Sequence, residues 1–80
     1  MAGNLKQDIS IGKNLKALRK RAGLTQEQAA AQLQMEELPI SSEILAKMEQ
    51  GKYSVRISAL LALTRIYRVE SFDAFFADLI

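Results

Sequence analysis

Eighty residues, 49% of them apolar, suffice for one small domain with its own core and argue against disorder. The chain has no cysteine and no histidine, which leaves no disulfide framework, no thiolate metal site and no histidine-based acid–base chemistry, so neither a metal nor a cofactor is expected. The net charge of +2 is small but unevenly spread: Lys13, Lys16, Arg19, Lys20 and Arg21 form one basic group, and Lys47, Lys52 and Arg56 a second. Such groups describe solvated helix faces or, where they converge, a surface suited to phosphates.

Residues 1–8 carry no periodic pattern and read as a flexible tail, leaving residues 9–80 as the domain. Met1 to Lys13 has no long apolar run, so no signal peptide is expected. The longest apolar stretch, Ala59 to Leu63, is far too short to span a bilayer. A cytoplasmic protein with no membrane partner is the expectation. Ile11, Leu15, Leu18 and Ala22 recur at helical spacing and predict a first helix over Ile9 to Ala22. Asp8 or Ser10 is placed to cap it, and Gly23 to end it. Thr25 with Gln28 makes a capping box for a second helix, whose inner face carries Ala29, Ala30 and Leu33. Pro39 biases Leu38 away from helix, which places the end near Glu36.

Ser41 or Ser42 suits the cap of a short third helix with Leu45 and Met48 inward, Ile44 on the flank and Gly51 as its stop. Ile40 and Leu45 fit a hydrophobic staple across its start. A fourth helix is expected to turn Ile57, Leu60, Leu61, Thr64 and Tyr67 inward. Ser71 caps a fifth over 71–79, with Phe72, Phe75, Phe76 and Leu79 on one stripe. No strand-like alternation or internal repeat is present. The expected fold class is an all-α, five-helix bundle.

The second and third helices carry the functional signal. A small side chain at Ala30 lets the third helix cross close to the second at a steep angle, leaving its outer face to protrude. A protruding helix fits the DNA major groove, which is about 12 Å wide. Over Ile11 to Val69 the chain resembles the phage repressor/Cro-type helix-turn-helix family, with its lambda repressor-like fold. The resemblance is carried by Ile11-Gly12-Lys13-Asn14-Leu15-Lys16-Ala17-Leu18-Arg19-Lys20, Gly23-Leu24-Thr25-Gln26-Glu27-Gln28, Ala30 and Leu33. It continues in Leu45-Ala46-Lys47-Met48-Glu49-Gln50-Gly51-Lys52 and Ile57-Ser58-Ala59-Leu60-Leu61-Ala62-Leu63. The helix-turn-helix itself spans about 26–51. One departure is visible: the family joins the two helices by a short glycine-containing turn, where this chain has Gln34 to Pro39.

The resemblance implies double-stranded DNA as partner and a homodimer reading a pseudo-palindromic operator. It places Ser42, Glu43, Ala46 and Lys47 toward bases. Lys47 suits guanine O6 and N7, and Glu43 suits cytosine N4. The same four also describe an ordinary solvated face with an i,i+4 pair of Glu43 and Lys47. It assigns Gln26, Lys52, Tyr53, Ser54 and Arg56 to phosphates, the first at a helix N-terminus that favours anions. For these residues a plain first-turn or surface-loop role is the alternative. It pairs Arg19 with Glu49 as a structural ion pair. One phenylalanine sealing the base of the bundle is the plain reading of the last stripe; three within five residues exceed what a small core hides, and Phe72, Phe75, Phe76 and Leu79 are expected to form a dimer contact.

An enzyme is not expected: the sequence shows no nucleophile–base set, paired acids, phosphate loop or metal-ligand cluster. No small-molecule substrate is expected either. The alternative to a DNA-binding regulator is a protein-interaction module, such as an antitoxin-like or anchoring helix-turn-helix domain.

Overall fold

The computed structural model describes residues 10–78. Among these, regular structure is all helical: α1 (Gly12–Arg21), α2 (Gln26–Met35), α3 (Ser42–Glu49), α4 (Ile57–Ile66) and one 3-10 helix (Phe72–Phe76). The start of α1 differs from expectation. It begins at Gly12, whose amide donates to the Ser10 hydroxyl at 3.0 Å, while Asp8, Ile9 and the expected tail lie outside the described residues. The caps of α2 and α3 are formed by Thr25 with Gln28, reciprocally, and by Ser41, whose hydroxyl accepts the Ile44 amide.

All four α-helices close in the same way. In each, the residue after the C-cap turns left-handed and its amide donates to a carbonyl three back, while the next amide donates five back. After α1 these bonds are Gly23 to Lys20 (2.9 Å) and Leu24 to Arg19 (3.2 Å), and after α3 they are Gly51 to Met48 (3.1 Å) and Lys52 to Lys47 (2.8 Å). After α2 and α4 the left-handed residues are Glu37 (φ 62°) and Arg68 (φ 55°). Glu37 thus stands where a helix end usually has glycine. The long α2–α3 connection is therefore a closed helix end followed by a tight turn at Pro39, where the Ile40 amide donates to the Leu38 carbonyl at 2.8 Å. It is tied down by Gln34, whose side-chain amide donates to the Ile40 carbonyl at 3.1 Å.

The expected fifth α-helix is instead the five-residue 3-10 helix, so the bundle has four α-helices and not five. The Asn14 amide of α1 donates to the carbonyls of Phe75 (2.8 Å) and Ala77 (2.9 Å), which ties the end of the short helix to α1. Ser71 caps the short helix as expected, accepting the Asp73 amide.

Each element sends a large side chain into one core: Leu15, Leu33, Leu45, Leu63, Tyr67 and Phe75 are fully buried. The inward face of α4 differs from the expected one. Ile57 is 70% exposed, Leu61 is also exposed and Thr64 is half-buried, whereas Ala59, Leu60, Ala62 and Leu63 are buried. Ser58, Thr64 and Arg65 share one side of this helix, Ile57 and Leu61 lie on that side with them, and the helical period itself favours the opposite face. The two alanines let α4 come close to its neighbours, and α2 is one of the elements packed on it. Ala30 on α2 is buried, on the helix against which α3 packs.

Candidate nucleic-acid interface

The α3 helix presents two different faces. Leu45, Met48 and Glu49 are buried, while Glu43 and Lys47 are exposed and Ser42 and Ala46 are half-buried. Gln50, the C-cap, is exposed three residues beyond Lys47 and extends the outer row. The sequence reading passed over Gln50, although its spacing from Glu43 and Lys47 was visible.

Three features hold α3 in place. Its N-terminus is capped by Ser41, and its inner apolar residues pack into the core. Its C-terminal end lies directly under α1: a Cβ on Gly12 would sit 2.7 Å from the Glu49 carbonyl carbon and 2.9 Å from the Met48 carbonyl oxygen. Only glycine allows that approach.

Beside this contact lies a buried ion pair. Arg19 donates through Nε to Glu49 Oε2 at 2.7 Å and through Nη2 to Glu49 Oε1 at 3.1 Å, with both side chains almost wholly buried. The remaining Nη1 donates to the Leu24 carbonyl at 2.8 Å. The hydrogen bond to Glu49 raises the arginine pKa, over the opposing effect of desolvation. Arg19 is thus withdrawn from the basic face of α1, which keeps Lys13, Lys16, Lys20 and Arg21 exposed.

Gln26, at the first position of α2, is half-buried, and its side-chain amide donates to Glu49 Oε1 at 3.1 Å. The sequence offers no signal for this contact, because the two residues are far apart in the chain. Lys52, Tyr53, Ser54 and Arg56 are exposed in the loop that leads from α3 to α4. A shallow groove of about 130 Å³ lined by Ser10, Gly51, Lys52, Tyr53 and Ser54 joins this loop to the start of α1. The structure therefore brings Lys52, Tyr53 and Ser54 of this loop next to Ser10, just ahead of α1.

The aromatic cluster separates into two parts. Phe75 is fully buried and belongs to the core, which removes it from any contact between chains, while Phe72 and Phe76 are exposed. Phe72 leans on Phe75 with ring centroids 6.1 Å apart. Leu79 lies outside the described residues. Among the described residues no group of His, Cys, Asp or Glu is placed to hold a metal ion, and no helix is long and apolar enough to cross a membrane.

Four packed helices, with α2 and α3 crossing and α3 open on its outer side, define a helix-turn-helix domain. Residues 10–74 match the family described as helix-turn-helix domain, and the chain belongs to that family, of the Cro-like type. Searches of curated proteins and of solved structures gave no match.

Proposed function

We propose that this protein is a sequence-specific DNA-binding regulator of transcription, acting in the cytoplasm as a dimer with α3 of each copy in successive major grooves. The observation that carries this reading is the two-sidedness of α3. Its inner residues are locked to the core, and Glu43 and Lys47 are exposed with Ser42 and Ala46 half-buried beside them. Lys47 and Glu43 read base edges, while Gln26, Lys52, Tyr53, Ser54 and Arg56 hold the phosphate backbone on either side. Successive grooves on one face of DNA are about 34 Å apart, which a two-fold dimer spans. Phe72 and Phe76 supply its apolar contact, now without Phe75.

The test is fluorescence anisotropy on fragments that the protein enriches from its own genome, over a series of salt concentrations. Lys47→Ala should weaken binding to the enriched fragment by about 1–3 kcal/mol and relax its sequence preference. Lys52→Ala should weaken all fragments alike and lower the salt slope by about 0.9 per subunit, about 1.8 for the dimer. If no fragment is retained even at low salt, the reading fails. Truncation after Val69 is a poor test of the dimer because it deletes the buried Phe75. Phe76→Ser keeps the core, and sedimentation equilibrium should show it shifted toward monomer. A second reading, a protein-interaction module, is favoured by Ile57 and Leu61, exposed one turn apart on α4.

A further inference from the structure

We propose that the cavity where the ends of α1 and α4 meet α2 and the 3-10 helix is a binding site for a small carboxylic acid with an apolar body. The proposal goes beyond the DNA-binding reading and does not depend on it. The cavity holds about 710 Å³, and α3 has no part in its lining. Sites for small molecules commonly run to about 300–1,000 Å³, with apolar walls and a few polar groups that set orientation. This cavity has both parts. Leu24, Ile66 and Ala74 supply half-buried apolar surface packed against the core. Arg21, at the end of α1, and Arg68, just after α4, line it as well. No local motif signals the site, because its lining comes from elements far apart in the chain.

The charge of the guest follows from what is left unpaired. Neither arginine side chain has an ion-pair partner among the described residues. Both are exposed, so each guanidinium is free to turn to a guest. The carbonyls of the two helix ends do not compete as acceptors, since they are already engaged. Those of Arg19 and Lys20 accept from the Leu24 and Gly23 amides, and those of Thr64 and Arg65 from the Val69 and Arg68 amides. The one acid on the lining, Glu70, is also without an ion pair among the described residues. Two cations against one acid favour a guest with a single negative charge. A carboxylate matches the planar fork of a guanidinium. Glu70 is left to accept from a hydroxyl or amide of the guest.

The test needs no DNA. The probes are phenylacetate, its neutral counterpart phenylacetamide, and acetate, which keeps the charge and lacks the ring. Binding is read from backbone amide shifts in nuclear magnetic resonance titrations. Phenylacetate should shift the amides of Ala22, Leu24 and Ala74 in a saturable way and leave those of α3 in place. Phenylacetamide and acetate should each bind about tenfold more weakly or worse.

Arg68→Gly removes one guanidinium at a position where glycine is at ease, φ 55°, so the fold is kept. It should weaken phenylacetate about tenfold and leave phenylacetamide little changed. Arg21→Gln, at the exposed last residue of α1, should do the same. Three results overturn the proposal: no saturable shift with phenylacetate, an amide or an acetate that binds as well as phenylacetate, or phenylacetate binding that survives both substitutions.

Discussion

Replacing Gly12 by alanine should loosen the whole domain, because the added methyl meets backbone and not side chain. It would lie 2.7 Å from the Glu49 carbonyl carbon and 2.9 Å from the Met48 carbonyl oxygen, and closer still to the Glu49 carbonyl oxygen. Comfortable contact needs about 3.5–4.0 Å, so α1 must lift from α3 by about 1 Å. Neither carbonyl can rotate away, since both belong to the last turn of a capped helix.

Overpacking of this kind costs about 1–3 kcal/mol, and backbone neighbours put it at the upper end. The better helix propensity of alanine returns at most about 0.5–1 kcal/mol, and less at a first helical position. A net loss of about 2 kcal/mol corresponds to a fall of about 8–16 °C in Tm for a domain of this size. It is a large share of a total of about 5–15 kcal/mol. Thermal melts followed by far-ultraviolet circular dichroism measure it. Gly23→Ala is the control: nothing lies within 4 Å of the new methyl, and the strain is that of a left-handed alanine at φ 77°. It should cost about 1–2 kcal/mol. An unchanged melting temperature for Gly12→Ala would refute the close approach of α1 to α3.

The remaining predictions concern groups whose partners the structure defines. Glu37→Gly should stabilise the chain by about 0.5–1 kcal/mol, since an exposed side chain with no ion pair among the described residues is exchanged for a residue at ease with positive φ; a rise of a few degrees in Tm checks it. The Tyr67 hydroxyl is buried without a hydrogen-bond partner among the described residues, so Tyr67→Phe should be neutral or stabilising by up to about 1 kcal/mol in urea titrations. Burial, helped by the nearby charge of Glu49, pushes this phenol well above its ordinary pKa. The unfolded chain therefore ionises first. Wild-type stability should fall as pH climbs past about 10, and Tyr67→Phe should lose less over that range. Glu49→Ala strands a buried guanidinium and should cost about 3–5 kcal/mol, whereas Arg19→Met/Glu49→Leu should melt close to wild type.

Local chemistry was legible in the chain. The capping box of Thr25 and Gln28 and the caps at Ser41 and Ser71 each need only residues within three positions of one another. The stops at Gly23 and Gly51 reach no further than five positions back. Any chain carrying these residues in this order is steered toward the same helix boundaries. The paired motifs on either side of them were enough to mark a helix-turn-helix domain. The pairing of Arg19 with Glu49 was available only through the resemblance, since neither residue alone signals it.

Tertiary packing decided what no local pattern could. The neighbours of α4 bury Ala59 and Ala62, small residues outside the expected inward set, and leave Ile57 and Leu61 beside Ser58 and Arg65 on the exposed side. Asn14, far away in the chain, meets the carbonyls of Phe75 and Ala77 only once α1 and the last helix are packed together. Glu37 and Arg68 turn left-handed without glycine because closing the helix ends offsets their strain. Gln26 faces Glu49 because α2 and α3 cross. Short-range hydrogen bonding is written in the order of residues, but the choice among several apolar faces or several acceptors depends on groups that meet only after folding.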